Sequence, residues 1–112
     1  MPFVDTSKVK ITKVKPGWNG RFVHSPNMTF VYYDVAADAP PVHEHQHEQE
    51  EVWNVIEGKL EITIDGVQKT VGPGCLAIVP SNTLHYVKPL GPCRVIVVDY
   101  PTRPEFVSQD ES

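Results

Sequence analysis

Three histidines lie at alternate positions in the segment His43-Glu44-His45-Gln46-His47. An extended strand has a side-chain period of two, so His43, His45 and His47 fall on one side if the segment is extended. Imidazole nitrogen suits Fe, Mn, Ni, Cu or Zn, and a carboxylate completes such a donor set. Glu51 opens the apolar run EVWNVI, where it shares a face with Trp53 and Val55. Those two are core residues by type, so Glu51 is expected to point inward with them. A buried, unpaired carboxylate is unfavourable, and a metal ion removes that penalty. A different reading stays open at this point: HEHQHEQEE is polar enough to be a solvated surface loop. His85, taken alone, is an ordinary residue.

The elements that must carry these side chains read as strands. Runs rich in β-branched and aromatic residues recur at short spacing: 9–14, 21–24, 28–35, 42–47, 51–56, 60–64, 68–71, 75–79, 85–88 and 93–99. Turn signals separate them, among them Pro16-Gly17, Pro26-Asn27, Asp65-Gly66 and Gly72-Pro73-Gly74. Nine or ten short strands so spaced argue for an all-β sandwich or closed barrel. No stretch sustains a helical period.

The bulk numbers exclude several classes. The chain of 112 residues fits one domain, residues 1–112, and the core is expected at about 20–100 between an N-terminal strand and a C-terminal tail. Its net charge is −4 with no Lys/Arg cluster, so nucleic acid is not an expected partner. No apolar run approaches the roughly 20 residues that span a bilayer. With no signal-like N-terminus, a cytoplasmic location is the default expectation. Cys75 and Cys93 lack a CxxC partner and are expected as buried or semi-buried thiols without a special role.

Two motifs make the pattern recognisable. The first is His45-Gln46-His47, three residues, Glu51, six residues, Gly58. The second is Gly74, five residues, Pro80-Ser81, then Asn82 where glycine is usual, Thr83-Leu84 and His85. The usual closing asparagine is absent, and Pro89 stands there. Asn82 tolerates the left-handed turn that glycine normally serves. In these motifs, which with the loop between them cover under half of the chain, the sequence resembles the cupin superfamily, small single-domain type. His43–Gln49, Ile64-Asp65-Gly66 and Val98–Pro101 with Arg103 and Phe106 also resemble the small cupins of pectin degradation that process unsaturated uronate sugars.

The resemblance implies a double-stranded β-helix, or jelly-roll, barrel. It implies one divalent metal ion (Fe, Mn, Ni or Zn) held by His45, His47, Glu51 and His85. Alternative registers are His43 and His45 with Glu50, or a set that uses Gln49. His43, Arg94 and Tyr100 are the leading candidates for catalytic or substrate-contacting roles, and Tyr32, Tyr33 and Tyr86 are further candidates near the mouth. The expected function is a metal-dependent enzyme on a small carboxylated or sugar-like molecule, by isomerase or lyase chemistry or as a dioxygenase. A non-catalytic small-molecule sensor is the alternative. A homodimer is implied, paired through an N-terminal strand or a face of the barrel, with the strand at 9–14 as a candidate to cover a partner's edge.

Overall fold

A computed structural model describes residues 3–106. A short 3-10 turn at Thr6–Lys8 is followed by ten strands: β1 (Thr12–Lys15), β2 (Trp18–His24), β3 (Thr29–Val35), β4 (Val42–His45), β5 (Glu50–Glu57), β6 (Leu60–Ile64), β7 (Val67–Val71), β8 (Leu76–Val79), β9 (His85–Pro89) and β10 (Cys93–Tyr100). Each sequence-predicted run carries one of them. β1 begins later than expected, and β2 begins earlier because Gly17, at φ 83, makes a turn tight enough for β2 to start at Trp18.

The expected closed barrel is not what forms. The strands make a six-stranded sheet, β1-β2-β3-β10-β5-β8, and a separate four-stranded sheet, β4-β9-β6-β7. No ladder joins the two among the described residues, so the sheets neither close into a barrel nor curl into a jelly roll. The reason is that strand spacing reports how many strands exist, whereas closure depends on which edges meet. Here β1, β8, β4 and β7 each end a sheet.

The core lies between the sheets. Trp18, Phe22, Val31, Trp53, Val55, Val95 and Val97 face it from one side, and Leu60, Ile62, Val71 and Val87 from the other. These positions alternate along their strands as period two requires. Trp18 meets Trp53 and Tyr33 edge-on, at ring separations of 6.2 and 5.3 Å. Asp65 and Gly66, both at positive φ, close the β6–β7 hairpin as the sequence indicates.

Both cysteines are free, but Cys75 precedes β8 and is exposed, whereas Cys93 opens β10 and is buried. Burial pushes the Cys93 thiol up to about 11. A thiol reagent at mildly alkaline pH is therefore expected to titrate one cysteine rapidly in the native chain and two after denaturation. Equal rates for both would contradict this packing.

Candidate metal centre

The site forms at one end of the space between the sheets. His45 ends β4 and pairs in register with His85, the first residue of β9. Glu51 lies opposite them in β5, flanked by Val79 of β8 and Asp99 of β10. His47 sits in the loop from β4 to β5. That loop is clamped to the turn before His85: the Asn82 amide donates to the His47 carbonyl at 2.7 Å, and the Ser81 hydroxyl to the Glu48 carbonyl at 2.6 Å. Asn82 adopts φ 56, the left-handed conformation expected of it. Asn82→Ala is expected to lower stability by about 1 kcal/mol in denaturant unfolding, and Asn82→Gly to restore it. An unchanged midpoint in the alanine variant would show the turn to be unstrained.

The three imidazoles converge with a common orientation. Nδ1 of His45, His47 and His85 lies 2.7, 3.0 and 2.9 Å from the backbone carbonyls of His43, Gln49 and Thr83. A carbonyl only accepts, so each Nδ1 carries the proton and each Nε2 is left with its lone pair. The rings are close, with centroid separations of 4.3 to 5.4 Å. One ligand atom from each of His45, His47 and His85 fits within 4.8 Å of the others, and so does one from each of His47, Glu51 and Asp99.

Glu51 is 4% exposed. Its Oε1 accepts from the Trp53 indole at 2.6 Å and lies 3.3 Å from His85 Nε2, while its Oε2 lies 3.3 Å from His47 Nε2. Both of those Nε2 atoms are buried without a hydrogen bond. Lone pairs facing a carboxylate at this distance repel unless a cation, proton or metal, stands between them. The donor set therefore fits a divalent ion, and the cluster can chelate one.

Electrostatics follow the same geometry. Burial opposes the charge on Glu51, yet its imidazole, carboxyl and indole neighbours outweigh burial and hold it well below its usual value. Burial and the adjacent Glu51 carboxylate push Asp99 the other way, upward. Burial lowers His45. Burial also opposes charge on His85, but Glu51 and the Thr83 carbonyl outweigh it and raise His85.

Arg103, from the segment after β10, closes this end. Its Nη1 lies 3.5 Å from both Glu51 Oε2 and Asp99 Oδ2, its Nη2 2.6 Å from Glu105, and its guanidinium stacks 4.6 Å over Phe106. Its backbone amide donates to buried Thr29 at 3.0 Å. A cavity of about 200 Å³ adjoins the cluster, bounded by His45, Glu51, Asp99, Arg103, Tyr33 and Lys15 among others.

The residues expected at the site divide cleanly. His45, His47, Glu51 and His85 come together, and Glu51 shares its inward face with Trp53 and Val55. Of the alternatives, Glu50 is exposed, and the Gln49 side chain reaches the Thr102 carbonyl. His43 is exposed and contributes only its carbonyl. Arg94 lies on the outer sheet face, paired with Asp34 and Glu57, and Tyr100 is exposed beyond Asp99. Tyr33 lines the cavity, and burial raises its phenol. The importance of Asp99 was readable from the inward alternation Cys93, Val95, Val97, Asp99. Lys15 and Trp18 gave no signal in the sequence, because only the folding of β1 and β2 over the opening places them there.

The fold recurs in solved structures. KdgF from Halomonas sp. is 25% identical, with a TM-score of 0.85 over 93% of this chain and 96% of that one. An RmlC-like cupin from Shewanella frigidimarina NCIMB 400 is 21% identical, with a TM-score of 0.87 over 95% and 96%. A Bacillus subtilis oxalate decarboxylase is 20% identical, with a TM-score of 0.74 over 88% of this chain but 29% of the longer one. No curated protein sequence matches the chain. The Cupin_2 family, described as a cupin domain, matches residues 29–99, which span β3 to β10 and every member of the histidine–carboxylate cluster, so the chain belongs to the cupin domain family.

Proposed function

We propose that the chain is a metal-dependent enzyme acting on a small carboxylated or sugar-like molecule, with His45, His47, His85 and Glu51 as the ligands of one divalent ion. One observation carries this reading: three imidazoles, each with Nδ1 fixed by a backbone carbonyl, cluster together, and the Nε2 lone pairs of two of them, His47 and His85, face a buried carboxylate. Iron, manganese, nickel and zinc all suit three imidazoles and a carboxylate. Such an ion, when bound, supplies Lewis-acid polarisation of a substrate oxygen.

The chain's own residues do the rest. The cavity of about 200 Å³ is below the roughly 300–1,000 Å³ of sites for drug-sized ligands, so it selects a small molecule. Lys15 on its wall favours a negatively charged group. The Tyr33 hydroxyl and the raised Asp99 carboxyl are proton donors placed on the same wall. Trp18, Trp53, Val31 and Val97 exclude water from the other side.

Metal analysis of untagged protein, with turnover of small acid sugars including unsaturated uronates, tests the reading. About one equivalent of metal, lost in His47→Ala together with turnover, is expected. Oxygen uptake during turnover would place the chemistry with the dioxygenases, and its absence with isomerases or lyases. Metal bound at the same stoichiometry in His47→Ala would overturn the ligand set, and metal binding without turnover of any such molecule would favour a binding role over catalysis. No helix among the described residues is long and apolar enough to cross a membrane.

A further inference from the structure

Two cations line the cavity beside the histidine cluster, and they differ in what surrounds them. Arg103 is already engaged: its guanidinium faces Glu51, Asp99 and Glu105. Lys15 is half-buried, and no carboxylate among the described residues pairs with it. Its neighbours on that wall are apolar, namely Val14, Trp18 and Val42. An ammonium is strongly hydrated, so a lysine turned towards such a wall without a partner is unusual.

An irregularity of the backbone puts Lys15 there. β1 pairs with β2 so that Thr12 stands opposite Gly20 and Lys13 opposite Asn19, and then the register shifts and Lys15 stands opposite Trp18. Residues directly opposite in an antiparallel ladder point to the same face. Lys13 is therefore outward and exposed, whereas Lys15 shares the inward side of Trp18. Under unbroken alternation Val14 alone would point inward, and Lys15 would lie outside with Lys13. The shift lets Val14 and Lys15 both line the cavity, as a bulge re-aims a side chain. Trp18 is itself held, because its indole donates to the Pro40 carbonyl at 2.8 Å.

We infer that Lys15 binds the carboxylate of the substrate and is the residue that selects acidic over neutral molecules. The inference deepens the proposed function and rests on it for the chemistry at the histidine cluster. Arg103 is a poorer partner for an incoming carboxylate, because chain carboxyl groups already share it and the Glu51 charge lies beside it. Lys15 has no such competitor. The apolar wall around it strengthens an ion pair relative to one in open water. The substrate then lies with its carboxylate at β1 and its reacting oxygen towards the imidazoles.

The two tryptophans of the chain, Trp18 and Trp53, both line the cavity, so their fluorescence reports its occupation. The full chain as purified is titrated with galacturonate and with galactose, which carries a hydroxymethyl group in place of the carboxylate, and calorimetry supplies the same constants. The wild type is expected to bind the acid at least about 10-fold more tightly than the neutral sugar. Lys15→Met, which keeps the stem and removes the charge, is expected to abolish that preference, and Lys15→Arg to keep most of it. Lys13→Met removes the same charge from the outward side of the same strand and is expected to change nothing. If the methionine variant fails to fold, Lys15→Gln is read instead. A wild type without the preference, a preference that survives loss of the Lys15 charge, or an equal loss in Lys13→Met would each overturn the inference. Metal content, measured in parallel, separates it from the function it builds on. A Lys15-dependent preference in a chain that binds no metal would keep Lys15 and overturn the metal reading. A preference untouched in Lys15→Met, with one equivalent of metal bound, would do the reverse.

Discussion

Replacing Glu51 with alanine is expected to weaken metal affinity by at least about 100-fold, more than loss of a residue that merely orients a ligand. The reason is the number of partners that converge on this one side chain. Its two oxygens face His47, His85, Trp53 and Arg103. Removing them takes away a proposed ligand and the carboxylate that both buried Nε2 atoms approach. Glu51→Gln separates charge from shape, because it retains an acceptor for the Trp53 indole. The amide is expected to recover folding but not metal. Calorimetric titration with the metal and thermal unfolding of the metal-free protein distinguish the two effects. Wild-type affinity in the alanine variant would remove Glu51 from the ligand set.

The second large effect is on stability. Arg103→Met is expected to destabilise the fold by about 3 kcal/mol, in the range found when one partner of a buried ion pair is removed. Arg103 is 9% exposed, and its guanidinium lies between Glu51, Asp99 and Glu105. Without it, two buried carboxyl groups face each other with no cation from the chain. The methionine keeps most of the stem that packs on Phe106. The double variant Arg103→Met, Glu51→Gln is expected to recover much of the loss, giving a coupling of about 2 kcal/mol in denaturant unfolding. Strict additivity would show that Arg103 acts through packing alone. Destabilisation with metal binding retained would also make the C-terminal strap a support of the site rather than part of its chemistry.

The sequence by itself determined the strands, their inward faces and most of the cluster. Alternation placed Glu51 with Trp53 and Val55, because side-chain direction in a strand follows from period two alone, and the same period leaves Asp99 on the inward face of Val95 and Val97. Asn82 was readable as a left-handed turn because few side chains tolerate that backbone. Only the tertiary structure decided how the sheets end and what they bring together. Local pattern does not say which edges pair, and so a closed barrel and two open sheets look alike from strand spacing. For the same reason it did not place Arg94 and Tyr100: the first turned to the outer face and the second to solvent. Where the three histidines lie relative to one another was likewise set by the fold. The Asn82 amide holds the His47 carbonyl, β4 aligns His45 with His85, and His43 is left outside with its carbonyl as its sole contribution. These are contacts between residues far apart in the chain, and no periodicity within a segment encodes them.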